Sequence, residues 1–270
     1  MTQDERRLYL IQELLKENSR YKNIEIPGGR EQQWRLLRSL MNVRPPRPVS
    51  EEFLKIQDAY LQDLIAERGI VDADKLESVP SDPRLVIWKG DITTLKIDAI
   101  VNAANSRMEG CWQPCHDCID NCIHTYSGIQ LRLYCHEMMV KQGHPEPAGR
   151  AKITPGFNLP AKYILHTVGP VIDHPLTQQD CDLLASCYEA CLKLAAEYHC
   201  RSIAFCCIST GVFRFPKEKA AEIAVAQVKK FLEQDSTIKR AVFNVFTSTD
   251  ESIYRIFAGL VRKEIAAAGK

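Results

Sequence analysis

The segment Asp98-Ala99-Ile100-Val101-Asn102-Ala103-Ala104-Asn105 sets a short apolar strand, Ala99-Ile100-Val101, directly against a tight loop of two alanines flanked by asparagines. Upstream, Leu85-Val86-Ile87-Trp88 is a similar strand that runs at once into Gly90-Asp91-Ile92-Thr93. Downstream, residues 163–168 form another, ending in Gly169-Pro170, and residues 202–207 read as a buried strand leading into Ser209-Thr210-Gly211-Val212-Phe213. Residues 241–246 give the last. Helical spacing fills the intervals: Leu184, Cys187, Tyr188, Cys191, Leu194 and Ala195 within 178–198, a helix over 216–233, and Ile253, Ile256, Phe257, Leu260 and Val261 within 251–266. This alternation predicts an α/β fold, a three-layer α/β/α domain on a mixed, mostly parallel sheet. Ligands of such sheets sit beyond the carboxyl ends of the strands.

The first eighty residues have a different grammar. Leu8, Ile11, Leu14 and Leu15 recur at helical spacing over 5–17, Trp34, Leu37 and Leu40 over 31–41, and Phe53, Ile56, Tyr60, Leu61 and Leu64 over 51–68. Pro27-Gly28-Gly29 and Arg44-Pro45-Pro46-Arg47-Pro48 separate them, and Ser50 is placed to cap the third helix. The expected organisation is a helical N-terminal extension, 1–80, and an α/β domain, 81–270. The extension packs on that domain or shapes its substrate entrance.

A chain of 270 residues, 45% hydrophobic and 26% charged, can bury a sizeable core. Its formal charge of +1 makes no electrostatic case for nucleic acid or a membrane surface as partner. The charged start MTQDERRLYL has no signal-peptide run, and no 18-residue apolar span occurs. Eleven cysteines without a secretion signal imply reduced thiols in the cytoplasm, where clustered cysteine more often means metal than disulfide.

The cluster itself is 110–128, GCWQPCHDCIDNCIHTYSG. Thiolate and imidazole donors together point to zinc first and iron–sulfur chemistry second. Three readings of it stand open. On a continuous helix, Cys111, Cys115, Cys118 and Cys122 would share one face as packed side chains, although Pro114 opposes a helix that starts before position 113. Alternatively Cys111, Cys115 and Cys118 hold an iron–sulfur cluster. Or Cys111, His116 and Cys118 form a zinc site with its fourth position open, as catalytic zinc requires.

The post-strand loops carry further chemistry. The Asp91 carboxylate can accept from an exocyclic amine such as that of adenine, or it can cap a turn on Thr93 or Thr94. Ser209-Thr210-Gly211 joins strand to helix, where backbone N–H groups can cradle a diphosphate. It lacks the lysine of a Walker loop and does not fit the Rossmann fingerprint.

In order and spacing, Gly90–Thr93, Asp98–Asn105 and Ile208–Phe213 resemble the three signature segments of macrodomains, the ADP-ribose-binding fold, over about 85–266. Residues 110–128 resemble the catalytic loop of the hydrolytic branch, with Ile119-Asp120-Asn121-Cys122-Ile123-His124 in place of its usual sequence. Cysteine and histidine where glycines are expected are similar to the bacterial zinc-containing macrodomains that act as protein ADP-ribose hydrolases. The resemblance implies one Zn2+ on Cys111, His116 and Cys118, with Cys115 and Cys122 as packing residues, His124 structural, and His136 and His144 as bystanders. It weakens the iron–sulfur reading, which predicts a brown preparation. It implies adenine at Asp91 and Ile92, the distal ribose at Asn105, and the diphosphate on Ser209, Thr210, Gly211, Val212 and Phe213, with Phe213 or Phe215 near the distal sugar. Asp120 would orient water or accept its proton, or else hold His116 in place. The expected substrate is an ADP-ribosylated aspartate or glutamate, the partner a lipoylated carrier protein with a sirtuin-like transferase as counterpart. The alternative is a non-catalytic ADP-ribose reader with a bracing zinc.

Overall fold

The computed structural model describes Met1–Gly259. The three apolar stripes of the N-terminal region fold as α1 (Gln3–Lys16), α2 (Arg30–Val43) and α3 (Glu51–Arg68). Thr2 and Ser50 cap α1 and α3, their side chains accepting from the backbone N–H of Glu5 and Phe53. Leu10, Ile11, Leu14, Leu37, Leu40, Met41, Phe53, Tyr60 and Leu61 bury against one another, and Ile129 joins them from the α/β part of the chain.

There follow β1 (Val71–Asp72), β2 (Ser78–Val79), β3 (Asp82–Lys89), β4 (Leu95–Lys96), β5 (Ala99–Ala103), α4 (Ile119–Ser127), α5 (Ile129–Gln142), β6 (Ala151–Pro155), β7 (Tyr163–Thr167), α6 (Gln178–Glu197), β8 (Ser202–Phe205), α7 (Lys217–Gln234), β9 (Arg240–Val245) and α8 (Ser248–Phe257). Seven strands form one sheet in the order β2-β3-β9-β8-β5-β7-β6, while β1 and β4 pair separately. The five inner strands run parallel; only the outermost pairs, β2 with β3 and β6 with β7, are antiparallel.

Alternation along these strands decides the layers. Ala99 and Val101 of β5, and Ala241, Phe243 and Val245 of β9, face one core with Leu184 and Tyr188 of α6, Ala224 and Val228 of α7 and Ile253 of α8. Ile100 and Val242 face the other, against Ile65 of α3, Ile123 of α4 and Leu131 and Cys135 of α5. The result is the expected three-layer α/β/α arrangement with a mixed, mostly parallel sheet and a helical N-terminal extension. No helix among the described residues is long and apolar enough to cross a membrane.

Three differences from the sequence expectation have physical causes. The continuous helix over 111–122 does not form: the chain reaches α4 only at Ile119, because Pro114 lacks a donor and Cys115 holds φ at +54. The strand β6, AKITP, has too little apolar alternation to be read beforehand. The last helix begins at Ser248, capped by Thr247, rather than at Glu251; residues 260–266 of the expected helix lie outside the described chain.

Candidate active site

The parallel strands β3, β5, β8 and β9 deliver Asp91, Asn105, Ser209–Phe213 and Phe246 to the side of the sheet where their carboxyl ends lie. Asp91 caps a short turn: its Oδ1 accepts from the Thr93 N–H at 2.9 Å and the Thr93 hydroxyl at 2.6 Å. This is the capping reading. Its Oδ2 pairs with the Arg68 guanidinium at the end of α3, which also donates to Thr93 Oγ1 and lies 4.1 Å over the Tyr126 ring. Ile92 is buried beside it.

Opposite Asp91, the β3–β9 register pairs Lys89 with Val245, so Phe246 comes out beside Gly90. Phe246 is 82% exposed. Sequence reading absorbed this residue into its strand; an aromatic ending a run that is otherwise fully buried was the signal to notice.

The Ser209–Phe215 loop closes on itself, Phe215 N–H donating to the Ser209 carbonyl and Arg214 N–H to Gly211. Ser209 and Arg214 hold positive φ, 64 and 59. The amides of Gly211, Val212 and Phe213 meet no protein acceptor among the described residues. An open run of backbone donors is what an anionic diphosphate needs. Phe215 is a core residue, 1% exposed, which removes it from the pocket and leaves Phe213, half-buried, as the aromatic there.

Between β5 and α4 the chain makes the cysteine loop. Gly110 is obligatory at its start, with φ +79 and the His124 ring so close that a Cβ would stand 2.7 Å from it. The donor atoms of Cys111, His116 and Cys118 all lie within 4.8 Å of one another, and no fourth protein donor joins them among the described residues. Cys111 Sγ is 3.6 Å from His116 Nδ1. Burial first, then the neighbouring Cys111 and Asp120, push the Cys118 thiol up to about 12. Two thiolates can share such a place only beside a cation, so the donor set fits a metal with one open position. Cys115 turns away to Ser39 Oγ and the Arg35 carbonyl, and Cys122 lies against Arg38.

Asp120, 5% exposed at the start of α4, accepts from Asn102 Nδ2 at 2.8 Å and Asn105 Nδ2 at 3.3 Å. Burial raises its carboxyl to about 6, against the opposing pull of Asn102, Arg132 and Asn105. It makes no hydrogen bond to His116, so the reading that it holds that ring in place is set aside. Asn105 Nδ2 also reaches the Gly110 carbonyl at 3.1 Å, tying the expected sugar contact to the start of the cysteine loop.

His124, Cys135 and His166 are a second close trio, fully buried. His166 is committed elsewhere, one ring nitrogen to Asn102 at 3.1 Å and the other to Thr154 at 3.0 Å. Burial lowers its pKa to about 3. The unfolded chain therefore takes up a proton at this ring below pH ~6.5 that the folded one refuses, and the His166 contribution to stability falls with pH by about 1.4 kcal/mol per unit down to pH ~3. Urea unfolding across pH 4–7 measures this, and a His166→Gln chain should lose that much of the slope. His136 bonds Glu109 at 2.6 Å and His144 is exposed, both as bystanders.

With this geometry in place, comparison with known proteins decides the family. A model described as Macro domain matches residues 101–224. The chain is 59% identical over 256 residues to a protein-ADP-ribose hydrolase of Treponema medium, covering 94% of this chain and 98% of that protein. The chain belongs to the macrodomain family. A protein-ADP-ribose hydrolase of Staphylococcus aureus (strain MSSA476) is 51% identical to this macrodomain over 92% of each chain. Among solved structures, the Trypanosoma brucei macrodomain in complex with ADP-ribose superposes with a TM-score of 0.65 at 29% identity, over 82% of this chain and 95% of that one. The Oceanobacillus iheyensis macrodomain with ADP gives 0.59 at 36% identity, over 64% of this macrodomain and 88% of its own length.

Proposed function

We propose that this macrodomain hydrolyses ADP-ribose from modified proteins, with a zinc ion on Cys111, His116 and Cys118. Relatives at 51–59% identity carry the hydrolase name over nearly the whole chain. The observation that carries the zinc reading is the convergence of two thiols and one imidazole, next to the Asn105 loop, with no fourth protein donor joining them among the described residues. When bound, zinc would supply a Lewis acid for a ribose hydroxyl, or a water whose pKa falls to about 7.

The chain's own groups do the remaining work. The amides of Gly211, Val212 and Phe213, with Ser209 and Thr210 beside them, take the diphosphate. Asp91 and the Ile92 backbone take the adenine edge, its amine sharing the Asp91 carboxylate with Arg68, and Phe246 offers a face for stacking. Asn105 binds the distal ribose, and Asp120 accepts the proton of the water that attacks the anomeric carbon. A carboxylate is the easiest leaving group, which makes ADP-ribosylated aspartate or glutamate the preferred substrate. A lipoylated carrier as the modified protein and a sirtuin-like transferase as counterpart rest on the resemblance alone.

The second reading, a reader that binds without cleaving, is favoured by one observation: both Asp120 oxygens are already taken by asparagines. Metal analysis paired with a time course of ADP-ribose release from a carboxylate-modified protein separates the two. The hydrolase reading expects about one zinc per chain and release that stops when a chelator strips the metal. Tight ADP-ribose binding without release supports the reader.

A further inference from the structure

We propose that Arg38, a residue of the N-terminal extension, is a positioning residue for the metal site, acting with Asn121 to hold the Cys111, His116 and Cys118 donors in register; this rests on the zinc reading of that loop. The stretch 111–118 has no helix or strand of its own, so something else must fix three donors that sit on irregular backbone. Arg38 supplies it from 78 residues upstream, donating from Nη2 to the His116 carbonyl at 2.6 Å and to Asn121 Oδ1 at 3.0 Å.

Asn121, fully buried, passes the restraint to the other two donors. Its Nδ2 donates to the Gln113 carbonyl at 2.9 Å and the Cys111 carbonyl at 3.4 Å. Its backbone N–H donates to Cys118 Sγ at 3.4 Å. The Arg38 guanidinium, the Asn121 carboxamide and the Asn121 backbone N–H therefore between them touch all three donor residues. The same helix grips the loop a second time. Asn42 of α2 accepts from the Cys115 N–H at 2.9 Å, at the residue whose φ is +54, and donates to Thr125 Oγ1, which in turn reaches Asn121 Oδ1. Ordering the donors in the folded protein removes that cost from metal binding, and partners one bond behind the ligands typically carry 10–100-fold in metal affinity. Arg38 itself is largely sheltered, its side chain 14% exposed and lying against Cys122 Sγ, while its ion-pair partner Asp117 is 89% exposed.

The test is a zinc dissociation constant, measured on the full chain by competition with a chromophoric chelator, together with the melting temperature of each metal-free form. Arg38→Met keeps the apolar stem and is expected to raise the constant about 10–100-fold. Arg38→Lys, which keeps a charged donor but replaces the planar guanidinium with a point-like ammonium on a shorter side chain, should fall between it and the unaltered chain. Asp117→Ala should match the unaltered chain. Should Arg38→Met fail to fold, the Arg38→Lys comparison decides alone. A role confined to packing would lower the metal-free melting temperature and leave the zinc constant where it was. That result, or an equal loss in Asp117→Ala, overturns the inference while the metal site stands. An unaltered chain that binds no zinc overturns the site and the inference together.

Discussion

A Cys118→Ala chain is expected to fold, to purify with almost no zinc and to release ADP-ribose more than about 100-fold more slowly, since losing a ligand exceeds the 10–100-fold typical of a partner behind one. Cys118 has a second occupation that could blur this result. Its Sγ accepts from the Asn121 N–H as the cap of α4, and losing a cap costs about 1 kcal/mol. Serine separates the two roles, because its hydroxyl caps a helix well and binds zinc poorly. Cys118→Ser should thus recover the melting temperature and none of the activity. Full turnover in either metal-free variant would remove zinc from the reaction.

Replacing Asp120 by asparagine should lower the turnover number by about 10²–10⁴-fold, the usual range for a lost general base, with zinc content unchanged and ADP-ribose affinity within a few-fold. Asparagine retains one oxygen for the 2.8 Å bond from Asn102, so the floor of the pocket keeps its shape. The split is diagnostic. A change in affinity equal to the change in turnover would make Asp120 a brace for Asn105 rather than a proton acceptor. Calorimetry with ADP-ribose and single-turnover release measure the two quantities separately.

Much of the scaffold was legible in residues alone, and the reason is burial. Strands β5, β8 and β9 lie in the middle of a parallel sheet with both faces covered, so they read as unbroken apolar runs such as Ala99-Ile100-Val101. The helices of the extension announced themselves through Leu, Ile and Trp at helical intervals and through Ser50 as a cap. Edge elements did not: β2 has two residues, and β6 carries lysine, threonine and proline because one side of it meets water.

The site divides in the same way. Asp91, Asn105 and the 209–213 loop could be placed because each follows its strand by a residue or a few, and position after a parallel strand is itself information. Spacing could not choose among the donors of 110–128. It left packing, cluster and zinc readings open until Pro114 and the turned-away Cys115 removed the first and weakened the second. Arg38, Arg68 and Arg132 were invisible for a different reason. Their partners lie on elements remote in sequence: the His116 carbonyl for Arg38, Asp91 for Arg68, and the Glu109 and Arg44 carbonyls for Arg132. An arginine on an amphipathic helix looks like solvent-facing charge until the fold supplies what it touches.

The two antiparallel margins of the sheet have a consequence for life at high concentration. An open ladder of backbone groups invites a neighbouring molecule to add itself as another strand, the first step toward aggregates. Here β2 is too short to act as a template, and β6 ends in Pro155, which has no amide hydrogen to offer, with Lys152 adding charge along the same strand. The long apolar strands that make the fold stable are thereby shut inside, and crowding has little backbone to exploit.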